Sequence, residues 1–373
     1  MEQSHHFDRP HSANAEGRGL CHGGSKRLTA LQDLRAVAAL LVLFHHVAQT
    51  AGPTMTQASG SLRQGLGPLG SVGVDLFFVI SGFVIAHGVS STCTPAPHRF
   101  LVGRAIRILP LFWLVSAAFA WQLWLAGFSF PLPTISNTIT LIPLPGQRGF
   151  SYPILYVGWS LAFELVFYSL AGLFLLVPRG RRVPLLLASL CGLAALGMVV
   201  KGSEGPASFF ANMIFLEFAC GVSAWLMWRR GISPAVGALL TFLGFLLLLS
   251  GALAFGSGIE TDPALIISQA TSGQRALAWG LPAAMILLGI VSLSNDRPAT
   301  GGWLSRLGDA SFSLYLIHPV VLFAAEHWKP LSWIANDLLF LLSLTILSLG
   351  AAALLHMFVE RPIIRWGKNV TRP

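Results

Sequence analysis

Ten apolar runs of roughly twenty residues recur along this chain, each long enough to cross the ~30 Å hydrocarbon core of a bilayer as a helix. They cover approximately residues 32–51, 71–90, 107–127, 156–177, 183–200, 209–228, 233–256, 275–293, 309–327 and 335–358. Inside a bilayer no water satisfies the backbone, so such runs close their hydrogen bonds internally. The period-2 alternation of an outer-membrane barrel is missing. Composition agrees: 54% of residues are hydrophobic, 10% are charged and mean hydropathy is +0.68, against about 25% charged in a soluble domain. The expected fold is all-α, a single polytopic bundle of about ten transmembrane helices.

A formal charge of +9 invites a nucleic-acid reading, but the placement of the basic residues argues otherwise. With a cytoplasmic N-terminus, 19 of the 24 Lys and Arg fall on the cytoplasmic side, leaving Arg63, Arg148, Lys201, Arg275 and Lys329 on the other. This asymmetry is the positive-inside signature of an N-in, C-in topology. The excess charge therefore reports orientation, and no nucleic-acid partner is expected.

Residues 1–27 are polar and read as a disordered cytoplasmic tail. Residues 28–366 form the membrane domain, and 367–373 a short cytoplasmic tail. No cleaved leader is expected, because a small-residue cleavage site does not follow the first run. Cys21, Cys93, Cys191 and Cys220 are scattered over the tail, a loop and two spans, without a disulfide framework or CxxC site. Four histidines of the tail, His5, His6, His11 and His22, are irregularly spaced, and no metal is expected.

An ionisable side chain at bilayer depth costs about 2.5–3.5 kcal/mol on insertion scales, so it tends to mark a function or a polar cavity. Such residues here are Arg35, His45, His46, Asp75, His87, Glu164, Glu217, His318 and His356. Arg35 and His46 are eleven residues apart. At about 100° per residue they share one helix face, which predicts a common cavity wall with ~16 Å between them along the axis. His45, turned by about 100°, is expected to point elsewhere. A topological anchor and an interhelical hydrogen bonder would account for the pair. So would a catalyst that holds an anion at one end and deprotonates a hydroxyl at the other, since neutral imidazole is the usual general base near pH 7.

Arg104 and Arg107 are three residues apart in "FLVGRAIRILP" and face the same way on a helix. Two guanidiniums at a rim can clamp a phosphate. Lipid headgroup contact or anchoring would serve equally. Around Asp75, Gly70, Ser71, Gly73, Ser81 and Gly82 permit close helix approach. Ser81 is expected to bond its own backbone and has no GxSxG elbow. Glu164, five residues after Trp159, is a candidate to orient or charge-balance His46, or to pair structurally with another buried polar group. His318 precedes Pro319, where a kink would free backbone acceptors. Glu217 and His356 have no supporting pattern. The chain lacks P-loop, GxGxxG and HExxH signatures, which argues against an ATP-driven pump and a metalloprotease.

Six stretches together resemble the integral-membrane acyltransferase family 3: "LQDLRAVAALLVLFHHV", "GSVGVDLFFVISGFVI", "FLVGRAIRILPLFWL", "GWSLAFELVFYSL", "GDASFSLYLIHPVV" and "VERPIIRW", in family order from residue 28 to residue 366. The resemblance implies a bacterial cytoplasmic (inner) membrane O-acyltransferase, acetyl being the default group. Its donor would be acetyl-CoA or another acyl-CoA, its acceptor a hydroxyl of a cell-surface glycan, glycolipid or similar molecule, with membrane lipids around it. His46 and Arg35 match the family's Arg-x10-His pair, the histidine as catalytic residue. Arg104 and Arg107 match its acyl-CoA-associated RxxR pair, and Glu164 its W-S-x-x-x-E carboxylate. Where many members read "LDGLRG" this chain has "LQDLRA", which moves Asp33 one place. Direct transfer with His46 as general base and relay through an acyl-histidine both remain open. A transporter or flippase for a glycolipid or small metabolite is the rival reading, and a scaffold without chemistry a third. Trp121, Trp124, Tyr152 and Tyr156 are candidates for stacking on a sugar or for an aromatic belt.

Overall fold

A computed structural model of the chain describes residues 29–50, 57–92, 94–146, 149–200, 206–255, 263–269, 271–294, 302–331, 334 and 336–371. The tail of residues 1–27, with its histidines and Cys21, lies outside the described residues, as does Cys93. Helices dominate: α1 Thr29–Thr50, α2 Gln57–Ser90, α3 Pro97–Leu125, α4 Trp159–Phe174, α5 Arg179–Val200 and α6 Phe215–Arg229 come first. There follow α7 Pro234–Phe255, α8 Leu281–Leu293, α9 Trp303–Asp309, α10 Ser311–Trp328, α11 Asp337–Leu355 and α12 Arg361–Val370. The one sheet among the described residues is a two-residue antiparallel pairing, Pro145 opposite Phe150.

Nine described helices are long and apolar enough to cross a membrane, and α9 with α10, bent by 72°, would make a tenth crossing. The expected bundle is therefore present, with two differences at its edges. The last span runs past residue 358 through a π-turn at His356–Glu360 and stays helical to Val370, so the tail expected from 367 begins as helix. In the ninth, α10 continues through Pro319, and the break falls at Asp309–Ser311 instead.

Helix α2 is the centre of the bundle: 72% of its apolar window is buried, against 17% for α7. Lipid offers apolar side chains nearly the same surroundings as a neighbouring helix, so tight packing of small residues drives association. A Cβ on Gly82 would lie 2.2 Å from the Phe218 carbonyl oxygen, and one on Gly221 2.0 Å from that of Val79. The backbones of α2 and α6 thus touch. Likewise a Cβ on Gly73 would meet the Ala38 carbonyl oxygen of α1 at 2.3 Å, as the small residues around Asp75 led one to expect. These two contacts clamp α1 and α6 onto α2 and hold the site-bearing faces together.

Candidate active site

Arg35, Arg104, Arg107 and Glu164 line one cavity, carried by α1, α3 and α4. Three guanidiniums face one carboxylate there, a balance that favours an anionic ligand. Arg35 donates from Nε and Nη2 to the Ser311 hydroxyl at 3.3 and 3.2 Å, which ties α1 to the break before α10. Arg104 lies over the Tyr168 ring, 5.3 Å from its centroid, and over Phe100 at 5.4 Å. Glu164 accepts from the Ser81 hydroxyl at 3.0 Å and from the Tyr168 hydroxyl. Ser81 therefore does not bond its own backbone as expected, and Glu164 belongs to the arginine cavity and not to the surroundings of His46.

Arg104 and Arg107 also line a second space of about 410 Å³, shared with Arg99 of α3 and Lys368 of α12. Glycine at 367 lets α12 come close, since a Cβ there would sit 2.7 Å from the Ile106 side chain. Four basic side chains and no acidic one form this vestibule, which adjoins the arginine cavity across the Arg104–Arg107 pair.

His46 lines a separate cavity of about 300 Å³ with His45, Gln49, Tyr156, Arg275 and Tyr315. The common wall predicted for Arg35 and His46 is thus divided. Tyr315 and Val74 line both cavities, and the Tyr315 hydroxyl is fixed between them, 2.7 Å from Ser160 Oγ and donating at 2.7 Å to the Val157 carbonyl. His45 shares the cavity with His46, contrary to expectation, because a space this wide accepts residues spread over about a third of a helix turn.

His46 Nδ1 donates to the Val42 carbonyl one turn back, at 2.9 Å. A carbonyl only accepts, so in the neutral ring Nδ1 carries the hydrogen and Nε2 keeps a bare lone pair. His318, fully buried, is tied in the same way to the Leu314 carbonyl at 3.1 Å, and its Nε2 has no partner among the described residues. Their ring centroids are 4.8 Å apart. His318 is thus packed against His46, and of the two rings only that of His46 lines the cavity. Tyr156 adds its ring 5.6 Å from that of His46, whereas Trp121 and Trp124 are exposed on the outside of the bundle.

Several participants went unassigned in the sequence. Arg275, counted above with the far-side basic residues, is 1% exposed and pairs with fully buried Asp75 at 2.6 Å. Its position on a short helix before the π-turn Ala276–Gly280 brings it inward. Glu217 is equally buried and within electrostatic reach of both. His356 pairs with Glu360 at 2.7 Å, and Glu360 also accepts from Ser313 at 2.6 Å. Asp33 accepts from Ser305 at 2.9 Å, a tie between α1 and α9 outside both cavities. Only Tyr168 carried a readable signal, since it lies four residues after Glu164 on the same helix face.

Residues 29–357, which contain every side chain of the two inner cavities, match the profile of an acyltransferase domain. The chain belongs to that family. Among curated relatives it is 29% identical over 309 residues to the exopolysaccharide production protein ExoZ of Rhizobium meliloti (strain 1021), covering 80% of this chain and 91% of the relative. It is also 29% identical over 374 residues to the acyltransferase MdmB of Streptomyces mycarofaciens, covering 91% and 92%. No solved structure matches. The chain is an acyltransferase, and Lys368 of the basic vestibule lies beyond the matched residues. Among the described residues no group of three metal-ligating side chains is assembled.

Proposed function

We propose that this acyltransferase moves an acyl group, acetyl by default, from acyl-CoA to a hydroxyl of a cell-surface glycan or glycolipid, with His46 as general base. The observation that carries the reading is the His46 ring, held by Val42 so that its bare Nε2 serves a cavity next to one lined by three arginines. The basic vestibule and Arg104 and Arg107 would neutralise the donor's phosphates, with bidentate geometry available to each guanidinium. Arg35, tied to Ser311, would sit deeper along the donor's path. Glu164 acts as a positioning residue: anchored by Ser81 and Tyr168, it balances the charge of the surrounding guanidiniums. The pantetheine arm would pass Tyr315 to bring the thioester to His46.

In the chemical step the acceptor oxygen attacks the thioester carbonyl while its proton passes to His46 Nε2. The tetrahedral intermediate then collapses with cleavage of the C–S bond, and the imidazolium returns the proton to the departing thiolate. No group besides donor and acceptor is consumed. The positive-inside asymmetry supports a bacterial cytoplasmic membrane with both termini inside, so the arginine end would face the acyl-CoA pool. The exopolysaccharide role in the name of one relative supports a glycan acceptor.

The test is acyl transfer by purified protein in lipid nanodiscs. His46→Ala is expected to lose on the order of 10²–10⁴-fold in rate with thermal stability near that of the parent. Arg104→Gln with Arg107→Gln is expected to raise KM for acyl-CoA at least tenfold, roughly the worth of one charge-assisted hydrogen bond. Full activity of His46→Ala, or substrate flux without acyl-CoA consumption, would sink the assignment.

A further inference from the structure

A fourth space opens on the other side of His46 from the arginine cavity. His46, Gln49 and Tyr156 line it as well as the His46 cavity, and Phe119, Phe323 and Glu326 complete it. Its outer end is formed by Thr50 at the end of α1 and Glu326 near the end of α10. At about 210 Å³ it falls below the ~300–1,000 Å³ of pockets for drug-sized ligands, so it holds one ring and not an extended chain.

Its lining combines two kinds of surface. Phe323 is held in an aromatic cluster: His327 stacks on it at 5.3 Å and 7°, while Phe119 and Trp328 meet it edge-on at 5.7 and 5.9 Å. Such packing leaves a stiff apolar wall. Against that wall stand the Glu326 carboxylate and the Gln49 amide, whose nitrogen donates to His45 Nε2 at 3.0 Å and whose oxygen is left to accept. Glu326 is the one carboxylate of this space, and it is exposed. Apolar C–H faces bounded by a ring of hydroxyls are the chemistry of a pyranose. An acyl chain would have no use for the carboxylate, and an anionic acceptor would be repelled by it.

We propose that this space is the acceptor subsite and takes one terminal, uncharged sugar ring, its C–H face on Phe323 and Tyr156 and its hydroxyls bonded to Glu326 and Gln49. The inference rests on the acyl-CoA-dependent reading above and deepens it. One hydroxyl of the ring would then reach His46 Nε2 from the side opposite the donor. Donor and acceptor approach from the two ends of the bundle and meet at the histidine.

The test uses the whole protein in nanodiscs with acyl-CoA, and as acceptor the glycan fraction extracted from a strain lacking the gene, with that strain's lipid fraction in parallel. Products are read by mass spectrometry. Glu326→Gln, isosteric and near a helix end, is expected to raise the acceptor KM by about tenfold, the loss of a charged hydrogen-bond acceptor, with KM for acyl-CoA shifting less than twofold. Phe323→Leu is expected to act in the same direction, and melting temperatures identify any variant that fails to fold. Unchanged acceptor KM in folded Glu326→Gln and Phe323→Leu proteins would overturn the subsite. So would acyl groups arriving only on lipids that carry no sugar, which leaves the acyltransferase reading standing. A wild-type protein that acylates neither fraction while acyl-CoA goes unconsumed would remove that reading and the subsite with it.

Discussion

Arg275 is the residue whose environment departs furthest from its surroundings in the chain. It sits in a polar stretch, yet its guanidinium is buried against Asp75 and 4.7 Å from the Trp279 ring centroid. A buried ion pair contributes little net stability, but removing one partner strands a charge at a cost of about 3–5 kcal/mol. Arg275→Leu is therefore expected to lower the thermal unfolding midpoint strongly, and Asp75→Asn combined with Arg275→Leu to recover much of the loss. Equal losses in the single and double variants would show that the pair is not what holds these helices. The same residue lines the His46 cavity, so its guanidinium also sets the polarity around that imidazole.

At the scale of elements, the contact of α2 with α6 depends on glycine alone. Gly221→Ala would drive a methyl group to 2.0 Å from a carbonyl oxygen, a distance no side chain adopts. Backbone shifts that relieve such overpacking cost about 1–3 kcal/mol. The variant is expected to unfold at lower temperature in detergent, while Gly350→Ala on α11, where an added Cβ meets nothing within 4 Å, is expected to cause no loss. Helix α2 carries Asp75 and Ser81 along with that contact, so a shift of α6 would be felt at both the Arg275 pair and Glu164. The π-turns work at the same scale. Each adds a residue to a helical turn, and they lie beside Arg275 and at His356–Glu360, where buried charged side chains must be turned inward.

Across the whole molecule the basic vestibule and the aromatic acceptor space lie at opposite ends, with His46 and Tyr315 between them. That polarity has a direct consequence for topology. In a cysteine-free background and intact cells, an impermeant maleimide is expected to label Lys329→Cys and not Arg230→Cys, both of which are exposed at helix ends. Labelling of Arg230→Cys alone would reverse the orientation and put the arginine end away from the acyl-CoA pool.

Each helix satisfies its backbone from within, so the spans follow from local apolar length and were legible in the amino-acid order before any packing was known. The same holds for His46 and Arg35 on one face, since azimuth along a helix is a matter of spacing. Family stretches likewise pointed to Arg104, Arg107 and Glu164, because they are runs of neighbouring residues. What stands between two such residues is not local. Tyr315 reaches Val157 across 158 positions, Arg275 reaches Asp75 across 200, and Arg35 reaches Ser311 across 276. Those pairings arise only when glycine contacts bring particular faces together, and they divided one expected cavity in two, moved Glu164 to the arginine side and put His318 beside His46. The sequence by itself determined which segments are long and apolar enough to span a bilayer and which family they form. Tertiary packing decided which polar groups share a space, because a side chain's partners depend on long-range contacts that no spacing within one helix encodes.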